Sequence, residues 1–223
     1  MKRILLPLLL TLCVFNLSAQ YIHIQEDFNA AALPNSWSTT AVTGSATWSF
    51  GIDGSRGSGG ERGNNNIDRT ALAIFDDNNL GGSSVNNHAT LTSAIFDNSS
   101  YSETILEFDY NFRQLPAPLD SFYVEVYDGL NWTTVFSTTT NDCGNWIGAC
   151  QGNFPKATID ISSFANANCQ VRFTYFDEND WAWYVGIDNV NISSPHLRDI
   201  GVSKILSPRT TGCELGSNET IAV

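Results

Sequence analysis

Near its C-terminal end the chain reads Glu178-Asn-Asp-Trp-Ala-Trp-Tyr-Val-Gly-Ile-Asp-Asn-Val-Asn-Ile192, a run that could do two kinds of chemistry. Carboxylate and amide oxygens suit a hard cation, and indole faces suit the apolar faces of sugar rings. The apolar positions Trp181, Trp183, Val185 and Ile187 fall on one face of a regular strand, whereas Val190 and Ile192 fall on the other. A strand that keeps one face in a core across this stretch must carry an extra residue at Asp188 or Asn189, a β-bulge. That bulge is expected to turn Asp188 toward the interior. A buried carboxylate is costly unless paired. No Lys or Arg lies near it in sequence, so a divalent cation is the expected partner.

Other chemistries find less support. The three histidines, His23, His88 and His196, are scattered, and the cysteines lack C-x-x-C spacing, which argues against zinc. His88 reads as part of a polar loop. No G-x-S-x-G elbow is present, and no histidine neighbours a Ser or Cys nucleophile in sequence. Glu107, Asp109 and Glu125 lie on polar strand faces where a glycosidase pair would be sought, but no motif supports one. The expectation is a chain without enzymatic activity. Trp132, Trp146 and Trp181 are candidates for stacking on a sugar, with Trp183 beside them; packing in a core or at a strand end is the competing reading.

These groups need a scaffold, and the sequence describes one. Leu106, Phe108, Tyr110 and Phe112 alternate with polar residues, as do Phe122, Val124 and Val126, and Val171, Phe173 and Tyr175. A period of two rich in β-branched and aromatic residues predicts half-buried strands. Shorter strands are expected over 21–28, 71–75, 133–136 and 158–161, and Asp177 to Asp180 is expected to be a turn. No segment sustains a helical period. Many short strands with polar connections predict an all-β fold, an antiparallel sandwich or jelly roll. The Gly- and Asn-rich run from Gly54 to Asn66 reads as a solvated excursion or as a rim over a ligand site.

Of 223 residues, the first 19 read as a secretory signal peptide: Lys2 and Arg3, an apolar run, then Leu17-Ser18-Ala19 before Gln20. Cys13 invites a lipoprotein reading, but Leu12 before it is not small. Without Lys2 and Arg3 the balance is 9 basic to 23 acidic residues, which repels nucleic acid and anionic lipid. No other apolar run is long enough to span a membrane. For an exported chain disulfides are expected, and Cys143 and Cys150 could close a short loop, with Cys169 a competing partner for either. Residues 20–193 form the expected β domain and 194–198 a linker. Residues 199–223 read as the start of a second β domain that continues past Val223.

The strands and the closing stretch together resemble the cleaved-adhesin domain, the jelly-roll module of gingipain-type secreted proteases, related to MAM-like domains. Glu26 to Trp37 matches the family opening of Glu-x-Phe, then Pro, then Trp. Leu91 to Asp97 matches its L-x-S-P-x-x-D strand, with Ala94 where proline is usual. Asp120 to Val126 matches the central strand, and Trp183 to Val190 the terminal Ile-Asp-Asn-Val strand. The tail from Asp199 resembles the Ig-like repeats that follow such modules in type IX-secreted proteins. The resemblance implies a structural calcium held by Glu26, by Asp76 or Asp77, and by Asp188, with backbone carbonyls completing the shell. Asp27 is the weaker candidate, because the motif places its acid two residues before Phe28. The implied function is an exported, calcium-stabilised adhesion or binding module of a larger secreted or cell-surface protein, meeting an extracellular protein or glycan. The alternative is a carbohydrate-binding accessory domain of a secreted protease or glycosidase.

Overall fold

The fold is taken from a computed structural model, which describes residues 20–51, 70–81, 86–113, 120–139, 155–180 and 182–195. Residues 1–19, read as a signal peptide, residues 54–66, the residues after Pro195, Trp146, Trp181, Cys143 and Cys150 all lie outside the described residues.

Eleven strands are described: β1 (Gln20–Glu26), β2 (Ser38–Thr43), β3 (Ser49–Gly51), β4 (Leu72–Asp76), β5 (His88–Thr92), β6 (Ile105–Arg113), β7 (Ser121–Tyr127), β8 (Trp132–Thr138), β9 (Lys156–Asp160), β10 (Gln170–Phe176) and β11 (Tyr184–Pro195). They form two antiparallel sheets. The first runs β3-β4-β11-β6-β9, with β1 also paired to β11; the second runs β2-β5-β10-β7-β8. Gln20–Pro195 is one compact unit. A single helical turn, α1 (Asp77–Leu80), follows β4, its N-terminus capped by Asp76, whose Oδ1 accepts from the Asn79 amide at 3.1 Å.

The alternating patterns become the inter-sheet core. Leu106, Phe108 and Phe112 from β6 face Phe122, Val124 and Val126 from β7 and Val171, Phe173 and Tyr175 from β10, all fully buried. Phe108 sits at the centre, its ring 5.2 Å from Phe173 and 5.6 Å from Phe136, both edge-to-face. The family-opening residues seal one side: Trp37 stacks on Phe173 and Phe28 meets Trp37 edge-on.

Strand β11 organises the first sheet. One edge pairs with β6 along most of its length. The other edge pairs with β4 over Tyr184–Ile187 and then with β1 from Val190 onward. It runs on to Pro195, two residues into the stretch read as linker. Strands β2 and β5 lack a clean apolar alternation, and His88, read as a loop residue, opens β5.

Replacing Phe108 with Ala removes the hub of the aromatic cluster. It is expected to lower the unfolding free energy by about 3–5 kcal/mol, measured by urea denaturation.

Candidate functional site

The bulge is present. In the β11–β6 ladder Asp188 faces Asp109 and Asn191 faces Glu107, so Asn189 and Val190 together oppose one residue, Phe108. Asn189 takes a left-handed conformation, φ 52°. Val190 and Ile192 thereby rejoin Val185 and Ile187 in the core. Asp188 does not turn into that core, as the sequence led one to expect. The extra residue comes after Asp188, which keeps the earlier register. Its cross-strand partner is Asp109, so both lie on the outer face of the first sheet. There Asp188 is 1% exposed, and its Oδ1 accepts from the Asn189 amide at 2.7 Å.

Beside the bulge a cleft of about 480 Å³ opens, lined by Gln25, Glu26, Asp27, Asn189, Val190 and Asn191. Glu26 pairs with Val190 across the β1–β11 ladder, and its Oε1 accepts from the Phe28 amide at 2.8 Å. Asn189 Nδ2 donates to Asp109 Oδ2 at 3.0 Å, and Lys156 Nζ lies 3.2 Å from Asp109 Oδ1. The cleft is walled by oxygen-bearing side chains.

Asp76 and Asp77 are elsewhere. Asp76 lies opposite Tyr184, four residues along β11 from Asp188. At the rise of a strand that is roughly 13 Å. Asp77 is fully buried, Oδ1 accepting from Asn87 Nδ2 at 2.9 Å and Oδ2 from the Ala182 amide at 2.7 Å. The carboxylates predicted to share one cation, Glu26, Asp188 and either Asp76 or Asp77, are therefore split between two places. Among the described residues no group of three or more His, Cys, Asp or Glu side chains is arranged to hold a metal.

Asp77 belongs to a set of acids at one end of the sandwich that the sequence did not single out. Asp177 Oδ2 accepts from the Asn87 amide at 2.7 Å, and its Oδ1 from the Asn179 amide at 2.8 Å, across the turn expected there. Asp120 is fully buried; its Oδ2 accepts from the Tyr175 hydroxyl at 3.1 Å, and its Oδ1 has no hydrogen-bond partner among the described residues. Burial pushes the Asp120 carboxyl up to about 7, against the pull of the Tyr175 hydrogen bond. Burial likewise raises Asp77 to about 6, opposed by its bonds from Ala182 and Asn87 and reinforced by the charges of Asp177 and Asp76.

On the second sheet Trp132 opens β8, half-exposed, with the Tyr127 ring 5.3 Å away and the Arg172 guanidinium 4.2 Å over its own ring. Trp183 does not share the face of Val185 and Ile187. It precedes the strand and packs with Leu72, Ile74 and Tyr184 in a separate apolar cluster, the Arg113 guanidinium 5.0 Å above it. Glu125 lies on the outer face of the second sheet and Glu107 and Asp109 on that of the first, so Glu125 pairs with neither across a cleft. His23 Nε2 does meet a serine in space, Ser194 Oγ at 2.9 Å, but that hydroxyl is buried and shared with Thr104. Cys169 is buried and free, its thiol pushed up to about 12 by burial, which keeps it protonated and unreactive.

No protein-family model matches the chain, and neither does any curated protein. Solved structures do. The K1 and K3 cleaved adhesin domains of Lys-gingipain from Porphyromonas gingivalis W83 superpose with TM-scores of 0.57 and 0.56, at 18% and 15% identity. They cover 80% and 79% of this chain and 99% of each of those domains. The fold is that of the cleaved adhesin domain. The K2 domain of the same protease gives a TM-score of 0.51 at 16% identity over 78% of this chain and 97% of that one. At such identities the likeness is one of architecture.

The raised carboxyls set a pH dependence. A carboxyl whose folded value lies above its unfolded one keeps its proton longer in the folded state. Its stabilisation is full below the unfolded value of 3.8 and is lost as pH rises through about 6 for Asp77 and about 7 for Asp120. The urea midpoint is expected to fall between pH 5 and pH 8, and to fall less in Asp120→Asn. A midpoint rising over that range would contradict the burial of these acids as uncompensated carboxyls.

Proposed function

We propose that the chain is a calcium-stapled, non-catalytic binding module of a secreted or cell-surface protein, exported through its first 19 residues. The observation that carries this reading is the cleft beside the β11 bulge. There Glu26 from the end of β1 comes against the Asn189–Asn191 segment of the last strand. The donor set fits a hard cation. The side chains around the bulge offer carboxylate and amide oxygens and neither His nor Cys. Glu26 keeps a second oxygen beyond the one bonded to Phe28. Glu26 and Asp188 would hold the ion together with backbone carbonyls, whereas Asp76 and Asp77 serve the far end of the strand. The ion's contribution is structural. It neutralises acid packed against the bulge and ties β1 to β11, the first and last strands described. The adhesin fold and the acidic balance of the chain support an extracellular site of action, with a protein or glycan as the bound partner.

Calcium that binds only the folded state stabilises by about 2.7 kcal/mol at a hundredfold excess over its dissociation constant. For a domain of this size that raises the melting temperature by roughly 5–10 °C. The shift is expected between millimolar calcium and a chelator, and is expected to be lost in Glu26→Gln and Asp188→Asn. Identical melting in calcium and chelator would overturn the metal reading.

A further inference from the structure

The second sheet has an outer face that neither the core nor the calcium reading uses. Its inner residues, such as Val124 and Phe173, fill the core, so the alternate positions on β7, β10 and β5 turn outward. Antiparallel register lines these up in cross-strand rows: Tyr127 with Trp132, Glu125 with Arg172, Tyr123 with Thr174, and His88 with Phe176. The rings of this face are half-exposed. A solvated sheet face has no need of such rings, and their partly wet apolar area is a cost that a bound partner would remove.

The polar groups between the rings are fixed. Arg172 donates from Nε to Glu125 Oε2 at 2.8 Å and from Nη2 to Oε1 at 2.9 Å, a bidentate fork. Thr174, itself fully buried, donates to Glu125 Oε2 at 3.2 Å and holds the fork from beneath. The Tyr123 hydroxyl lies 3.1 Å from His88 Nε2. The guanidinium in turn lies over the Trp132 ring. Among the described residues Arg172 is the one cation on this face, and Glu125 neutralises it, so the face presents donors and acceptors with little net charge.

We propose that this face binds a neutral, hydroxyl-rich oligosaccharide, Trp132 and Tyr127 stacking on one sugar ring while the Glu125–Arg172 fork and the Tyr123 hydroxyl bond the hydroxyls of the chain. The proposal rests on the reading of the protein as an extracellular binding module and names its ligand class. Charge complementarity selects among partners. An anionic polymer meets a chain of net charge −12 with its one local cation already engaged. An apolar ligand would bury the fork with its remaining donors and acceptors unmet. A neutral saccharide meets both surfaces, with C–H faces on the rings and hydroxyls on the fork. From the Tyr127 row to the Tyr123 row is four residues of β7, roughly 13 Å, which exceeds a single sugar ring. Because the fork and rings are already held in place, little ordering is lost on binding.

The test is affinity electrophoresis of the folded protein through gels containing laminarin, xylan, galactomannan or soluble starch, followed by titration calorimetry on any polymer that retards it. At least one polymer is expected to retard the wild type. Trp132→Ala and Glu125→Gln are expected to weaken binding at least tenfold. Tyr123→Phe, which removes only a hydroxyl, is expected to weaken it severalfold without moving the melting temperature. Ile95→Ala, at a position 61% exposed and outside this face, is expected to bind as wild type. No retardation by any of the four polymers overturns the proposal, as does binding that survives both Trp132→Ala and Tyr123→Phe. Either result leaves calcium-dependent melting, the test of the module reading, untouched. Sugar binding by a protein indifferent to chelator would keep this face and remove the calcium.

Discussion

The first sheet depends on one strand meeting three neighbours with one extra residue. Strand β11 must pair with β6 on one edge while β4 gives way to β1 on the other. The change of neighbour and the bulge coincide at Asp188–Val190. A regular strand through this point would put either Val185 and Ile187 or Val190 and Ile192 into solvent. The left-handed turn at Asn189 absorbs the conflict at the cost of a backbone conformation that most residues avoid. Asparagine tolerates it, and its side chain bonds Asp109 across the ladder.

The same slip decides where the acids go. Asp188 and Glu26 end up near the bulge, beside a polar cleft, and four residues earlier on β11 lies a second polar centre built on different physics. At that end Asp77 and Asp177 accept from backbone amides and Asn87, and so fasten the connections leaving β4 and β10 to those entering β5 and β11. Asp120 shares this end and holds its proton more tightly because it is buried, with the charges of Asp77 and Asp177 adding to the effect. The first is the centre proposed to hold an ion; in the second, Asp77 and Asp177 are held by hydrogen bonds. Trp132 and Arg172 sit apart from both, on the far side of the sandwich.

How much was legible follows from which signals are local. The alternation in β6, β7 and β10 is a property of adjacent residues, and it gave the core of both sheets with its faces correctly assigned. The parity break in Val185–Ile192 is also local, so the bulge could be read. Its exact site could not, because Asp188 and Asn189 satisfy the pattern equally, and the choice fixed the wrong face for Asp188. The grouping of Asp76 and Asp77 with Glu26 failed for a different reason. Which residues of β11 lie beside β4 and which beside β1 is a matter of register between distant segments. Strands β2 and β5 are threonine-rich and show no apolar period, which hid His88 in a supposed loop. Asp120 was visible only as the first residue of the central-strand match, and Asp177 only as part of a turn. The Arg172–Glu125 fork spans 47 residues of sequence and left no local trace.

The account turns on the left-handed residue at position 189, and two substitutions there separate it from a regular strand. Both Asn189→Gly and Asn189→Ala remove the bond to Asp109, so their difference isolates the backbone. In an ordinary strand interior glycine is the less stable of the two by about 0.5–1 kcal/mol. With φ at 52° the order should reverse, Asn189→Gly unfolding at higher urea than Asn189→Ala by about 1 kcal/mol. An alanine variant equal to or more stable than the glycine variant would mean that β11 runs through without the bulge, and the placement of every acid along it would fall with that result.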